Sequence, residues 1–323
     1  MGKPSVEIFV LYPRGKISEF QRRQMSTVQA ENVHVLSVEG TSDDLDLVLK
    51  DIAAERKFCE DYKVSYINSF NWGRIMIQAA HFFFAYFRVD PELRGKVSFS
   101  IPTGAMGNLV AGYLAYLMGL PVDRLIVATN SNDILNRYFQ HGDFSKRGAV
   151  VQTVSPSMDI QAPYNFERFL YFITRDPKLV FGLYAAYDKT GEIKVEEGVL
   201  AESRRVVLST SVSEKETLET IRSFQATHRY LLDPHTAVGV AASVSFQASS
   251  VVKTPVICLA TAHPCKFEDA VREATGEAPT FPASASGLLE KPEVHLEVPA
   301  GGDVTKLLKE MVVESFTRRQ GAK

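Results

Sequence analysis

Residues 96–121 read KVSFSIPTGAMGNLVAGYLAYLMGLP, and no other stretch constrains the fold as tightly. Alternating and β-branched residues run into a turn carrying Gly104 and Gly107, and a long helical pattern follows, closed by Gly119 and Pro121. A strand delivered through a glycine turn into a helix is the unit from which parallel sheets are built. The same alternation recurs along the chain. VEIFVLY (6–12) reads as a strand, ISEFQRRQMSTV as a helix and NVHVLSVEG as a second strand. Residues 42–62 read as one helix, with Ser42 or Asp43 as its N-cap. LIVATN (125–130), VVLST (206–210) and PVICLAT (255–261) are further strands, and VTKLLKEMVVESF is a closing amphipathic helix. Residues 276–303, rich in Pro, Gly, Ala and Ser, read as loop or a loosely held return.

This pattern predicts an α/β fold of open, mostly parallel sheets in two lobes, residues 1–90 and residues 91–323. A parallel strand expects crossovers on both faces of its sheet. The strand at 6–12 has nothing before it to supply one, so it either lies at an edge or follows chain absent from this sequence. In the second case residues 1–90 alone would expose an apolar sheet edge and self-associate.

Composition narrows the class of function. The 323 residues are 45% hydrophobic and 23% charged, with a net charge of −2, which suits a soluble protein with no nucleic-acid or membrane-surface partner. No segment reaches the roughly 18 unbroken apolar residues of a membrane span. Three cysteines, Cys59, Cys258 and Cys265, make no disulfide framework, and a cytoplasmic location is expected.

Chemistry concentrates in three places. In the turn 102–108, Gly104 and Gly107 let the backbone approach a ligand, and the helix that follows offers free N–H groups and the positive end of its dipole. Such a loop suits a phosphate monoester, although a turn that merely joins strand to helix has the same outline. The Walker pattern is absent, since Asn108 and Leu109 follow the second glycine. The dinucleotide fingerprint is incomplete, with Asn130 where its acidic residue would stand.

In NSFNWGRIMIQAAHFFFAYF (68–87), an apolar run predicts a buried helix. Asn71, Arg74, Gln78 and His81 nonetheless recur at i, i+3, i+7 and i+10, one polar stripe that faces a cleft or solvent. In ICLATAHPCKF, Thr261 falls at the carboxyl end of a strand, where open α/β sheets place ligand groups. His263, Cys265 and Cys258 fit no zinc spacing, so no metal is expected. In YLLDPHTAVGVAA, Asp233 is a helix N-cap and Pro234 the first helical residue, with His235 pointing in an undetermined direction.

Taken in order, NSFNWGRI, PTGAMGNLVAGYLAYLMGLP, ATNSNDIL, SPSMDIQAPYNFER, LDPHTAVGV and ATAHPCKF resemble the threonine synthase family of fungal and bacterial type. GAMGN and MDIQAPYN also resemble its threonine synthase-like protein 2 branch, a phospho-lyase relative. The resemblance runs from about residue 6 to about residue 270. It implies a tryptophan synthase β-like, fold-type II enzyme using pyridoxal 5'-phosphate. The implied reaction takes O-phosphohomoserine, a phosphorylated amino acid, to threonine and phosphate.

By the same resemblance, Gly104, Ala105, Met106, Gly107 and Asn108 match the loop around the cofactor phosphate. Ala105 and Met106 replace the family's usual Asn and Phe. Thr261 matches the hydroxyl facing the pyridine nitrogen, a neutral partner that favours elimination over transamination. Asn68, Ser69, Asn71 and Arg74 match the substrate side, where Arg suits a phosphate or carboxylate. The family's Schiff-base lysine lies in a motif like H-G-x-T-x-A-F-K-D, followed by S-G-D-T-G-S-A, and neither string occurs here. Lys63, Lys96 and Lys266 stand in no comparable context. No catalytic lysine is assigned, and the chain by itself is expected to be inactive unless the missing segment joins it in trans. A phospho-lyase, or a non-catalytic binding or signalling form, are the alternative readings.

Overall fold

In a computed structural model, the described residues are 3, 5–251, 254–299 and 301–321. They divide into two compact units, Met1–Ser65 with Thr280–Lys323, and Tyr66–Pro279. The boundary read from sequence at residue 90 differs in two ways. The helix around residues 72–89 packs with the second unit, and the last 44 residues of the chain return to the first.

The first unit holds strands β1 (Ile8–Pro13) and β2 (Val33–Val38), parallel and joined through α1 (Glu19–Ser26). β1 lies at the edge of a sheet ordered β1, β2 and the short strand Leu296–Val298, one of the two positions expected for it. That short strand pairs in parallel with Leu36–Val38, inside the stretch read as loop. Three residues between proline-rich turns carry too little pattern to be seen without their partner.

The stretch 42–62 is two helices rather than one, α2 (Ser42–Ala54) and α3 (Arg56–Tyr62). Glu55 between them leaves helical geometry, and its carboxylate receives Lys309 Nζ at 2.6 Å from the last helix, Val304–Gly321. The break sets Tyr62 edge-on to Phe316. The N-cap of α2 is Thr41, not Ser42 or Asp43, because Asp44 three residues on completes a capping box with it.

The second unit is built on four parallel strands, ordered β5 (Val207–Ser211), β4 (Val122–Thr129), β3 (Val97–Pro102) and β6 (Val256–Cys258). The β6 strand is shorter than the run 255–261 suggested. Alternate residues of β3 and β4 serve opposite faces. Phe99, Ile101, Leu125 and Val127 join α4 (Trp72–Val89) and α5 (Gly107–Leu117) in the main core. Ile126 and Ala128 face the other way, into a cluster with Val238 and Ala242 of a later helix, Pro234–Ser249. The serines of β3 are wholly buried, with Ser100 Oγ donating to Gly239 O at 2.6 Å and Ser98 Oγ 3.1 Å from Thr254 Oγ1. Both faces are thus covered, as a parallel sheet requires.

One expectation fails here. The helix α4 is not buried all round. Ile75, Ala79, Phe82 and Tyr86 are in the core, while Trp72, Met76, Ile77, Phe84 and Phe87 are exposed.

Candidate functional site

The site is the turn between β3 and α5, and several neighbours hold its shape. Thr103 N donates to Ala128 O at 2.8 Å and its hydroxyl to Ile101 O, which ties the turn to the strand ends. Gly104 presses on the backbone beneath it. A Cβ there would lie 2.8 Å from Ser157 O and 3.0 Å from Met158 Cα, so only glycine fits. Met106, almost wholly buried, sits in the left-handed region at φ 69°, a strain of about 1–3 kcal/mol that its surroundings must offset.

The helix α5 starts at Gly107 without a side-chain cap, unlike α2. Its first-turn N–H groups therefore remain for a ligand. They border a cavity of about 150 Å³ lined by residues 102–109 together with Ser69, Arg74 and Gln78. Asn108 Oδ1 and Gln78 Oε1 are buried without a hydrogen-bond partner, an arrangement that a bound anion with protonated oxygens or water would relieve.

The structure brings Ser69 and Arg74 to this loop, alongside Gly104 to Asn108. Asn68 and Asn71 serve the approaching backbone: Asn68 Oδ1 accepts from Phe70 N, and Asn71 caps α4 by accepting from Gly73 N at 2.9 Å. His81 is exposed one turn beyond Gln78 and does not line the cavity. Thr261 lies exposed just past β6, whose carboxyl end is at the same sheet edge as the loop because β3 and β6 are parallel neighbours.

Three residues of the stretch SPSMDIQAPYNFER bind the two sides together. Asn165 Nδ2 donates to Ala105 O at 2.9 Å and to Ser69 Oγ at 3.2 Å. Arg168, at the start of α6 (Phe166–Thr174), donates to Asn165 Oδ1, Ser69 O and Phe70 O. Burial lowers its guanidinium pKa from the ordinary value. Tyr164 stacks on Phe70 and reaches Ser69 Oγ at 2.7 Å. The motif was visible in the sequence, but no periodicity points a loop residue 60 positions away at Ala105.

The floor under Gly104 is held from the other side. Ser157 N donates to His235 Nε2 at 3.1 Å, which leaves Nδ1 to donate to Asp233. Asp233 caps its helix and Pro234 takes the first helical position, as the sequence indicated. Asp159 accepts from Thr153, Asn130 and Asn132, and burial raises its carboxyl pKa against those bonds. His263 and Cys265 contact each other at 3.0 Å in a local turn. Among the described residues, no three His, Cys, Asp or Glu side chains gather as a metal site would need. None of the residues lining the cavity is a lysine.

A family description, threonine synthase C-terminal, matches residues 236–312. The threonine synthase of Pseudomonas aeruginosa is 41% identical over 291 residues, which take in 90% of this chain and 61% of that protein. Threonine synthase-like 2 of Rattus norvegicus is 38% identical over 329 residues, with 99% of this chain and 67% of that one covered. The chain belongs to the threonine synthase family. The structure titled PLP-bound threonine synthase from Brucella melitensis matches with a TM-score of 0.85 at 39% identity, over 97% of this chain and 66% of that one. The fold-type II architecture inferred from the family motifs stands with that match. The chain spans from 56% to 67% of the length of the curated relatives it matches. No helix among the described residues is long and apolar enough to cross a membrane.

Proposed function

We propose that this chain provides the phosphate-gripping and substrate-facing half of a threonine synthase-like enzyme that uses pyridoxal 5'-phosphate and converts O-phosphohomoserine to threonine and phosphate. The uncapped start of α5, set over a glycine turn that admits no Cβ at 104, carries this reading. The Brucella melitensis match supports it, because that protein is described as PLP-bound. When bound, the coenzyme supplies an electron sink at the substrate's α-carbon.

The chain's own residues grip and orient. N–H groups of Gly107 to Leu109 would hold the coenzyme phosphate, with the helix dipole favouring its charge. Asn165 fixes the Ala105 carbonyl and so the direction of the loop. Thr261 would meet the ring nitrogen with a neutral hydroxyl. Arg74, which donates Nη1 to Ile67 O, would take a substrate phosphate or carboxylate with its remaining N–H groups. No lysine lines the cavity and the family's lysine motif does not occur in this sequence, so the amine that would hold the coenzyme and move substrate protons is assigned to that motif. On its own the chain should hold the coenzyme without a covalent bond, chiefly through its phosphate.

A borohydride experiment tests this. Purified chain is incubated with pyridoxal phosphate, reduced, digested and examined by mass spectrometry. Retention of the coenzyme, competed by inorganic phosphate, with no pyridoxyl-lysine in residues 66–279 is the expected result. A stoichiometric pyridoxyl-lysine there would overturn the assignment. Once a lysine-bearing segment is supplied, phosphate release with threonine marks the synthase. Release with 2-oxobutanoate would instead mark a phospho-lyase, the alternative reading.

A further inference from the structure

Beneath the glycine turn, the imidazole of His235 is 3% exposed, and both of its nitrogens are engaged. Ser157 N lies 3.1 Å from Nε2. A backbone N–H can only donate, so Nε2 is the bare nitrogen and the ring is neutral. The ring proton is then on Nδ1, 3.1 Å from Asp233 Oδ1. Asp233 is itself fixed, because it also accepts from His235 N, Thr236 N and the Thr236 hydroxyl. The partners at the two ends of the ring thus select one tautomer.

The bond to Ser157 reaches the site through backbone. Ser157 O and Met158 Cα are the atoms a Cβ at 104 would meet, at 2.8 and 3.0 Å, so the turn is seated on the residue whose N–H the imidazole holds. That seat is stiff: Pro156–Met158 is one tight helical turn, closed by Met158 N donating to Ser155 O at 2.9 Å, and Met158 is buried. Close-packed interiors pass a displacement on rather than absorb it. A proton on Nε2 would set a second donor against the Ser157 N–H, and one of the two would have to move. Asp233, Asp159 and the ring of Phe267, 4.5 Å away between centroids, also face the imidazole. Charge on the ring acts on both carboxyl groups in the sense that lowers their pKa. Those carboxylates balance the charge a protonated ring would add, so the proton alters the loop through geometry. We propose that His235 is a positioning residue for the oxyanion site: as a neutral imidazole it holds Ser157 and the seat of Gly104, and on taking a proton it releases them, so that the loop's grip on a phosphate-like ligand weakens as pH falls. By linkage, a bound oxyanion opposes protonation of His235. The inference rests on the reading of the loop as a phosphate site.

Inorganic sulfate is the probe, because its charge stays constant across the range, about pH 5 to 8, in which an imidazole changes charge. Calorimetric titration of the full chain should show sulfate binding about fivefold weaker at about pH 6 than at about pH 8. The sign is diagnostic, since the positive charge a protein gains on acidification would by itself tighten an anion. His235→Leu, which offers no acceptor, should bind about tenfold more weakly at both pH values. His235→Gln offers an amide oxygen that accepts from Ser157 N and takes up no proton. It should recover most of that loss and show no pH dependence. Should the variants not fold, nitrogen NMR of the histidine-labelled parent reads the same property. Its assigned Nε2 should be unprotonated at neutral pH and stay so to lower pH when sulfate is present. Binding that is flat with pH or tightens in acid, a slope that persists in the Gln variant, or a protonated Nε2 in the sulfate-bound chain overturns the proposal. If neither sulfate nor pyridoxal phosphate binds at any pH, the reading of the loop as a phosphate site falls, and the proposal falls with it.

Discussion

At the scale of single residues, Asn165 matters most to the shape of the site. Its amide joins the Ala105 carbonyl to Ser69, and its own carbonyl is held by Arg168. Replacing it by alanine removes one of the two hydrogen bonds that Ala105 O accepts and the bond from Arg168 Nη1 to Oδ1, at a cost of about 1–3 kcal/mol. It also frees the loop that aims the N–H groups. Asn165→Ala should weaken phosphate or pyridoxal phosphate binding by about tenfold, roughly 1.4 kcal/mol, in a titration followed by calorimetry. Unchanged affinity in the folded variant would show that the clamp is structural only. Glycine does comparable duty at 104, where a side chain would meet backbone rather than a yielding neighbour.

At the scale of elements, the α4–α5 contact places the start of α5 and hence the cavity. Gly112 makes the approach feasible. A Cβ on it would lie 2.7 Å from Phe82 Cε1, and Phe82 is itself edge-on to Phe99 of β3. Gly112→Ala should therefore destabilise by about 1–3 kcal/mol through overpacking. A lower midpoint in urea, with phosphate affinity unchanged when folded, is the expected result, and an unchanged midpoint would contradict the packing described. Elements also show where sequence reading stopped. The strand at 296–298 is three residues long and exists only because β2 offers an edge. The break at Glu55 has no glycine or proline to announce it, and Lys309 of the last helix accompanies it.

At the scale of the whole molecule, acid stability is tied to the support of the site. Asp233 is almost wholly buried; burial raises its pKa, but hydrogen bonds from His235 and Thr236 outweigh that and leave it below the usual aspartate value. A carboxyl whose folded pKa is depressed adds stability above its unfolded pKa, near pH 4, and loses it as pH falls through the lower folded value. The melting temperature of the chain should therefore drop on acidification below about pH 4. In Asp233→Asn the neutral-pH value should be lower and this acid limb shallower, and parallel curves for the two proteins would remove Asp233 as the source.

Much of the second unit was legible beforehand. Strand β3, the glycine turn and α5 announce themselves through local rules: alternation of period two, residues that permit a tight turn, then an apolar period of 3.6. Asp233 and Pro234 followed from capping chemistry in the same way. These signals survive because each is settled by neighbours within a few positions. What surrounds the loop was not legible. Asn165, Arg168, Ser157 and His235 reach it from 50 to 130 residues away in sequence, and hydrogen bonds over such separations leave no periodic trace. The burial of α4 misled for the same reason. Its composition records that the helix is apolar on two sides, and composition carries no information about which side has a neighbour. The amino-acid order by itself determined a parallel α/β chain with a glycine turn leading into a helix. Tertiary packing alone decided which distant groups stiffen that turn and which apolar face of α4 is exposed, because both depend on what the fold brings alongside.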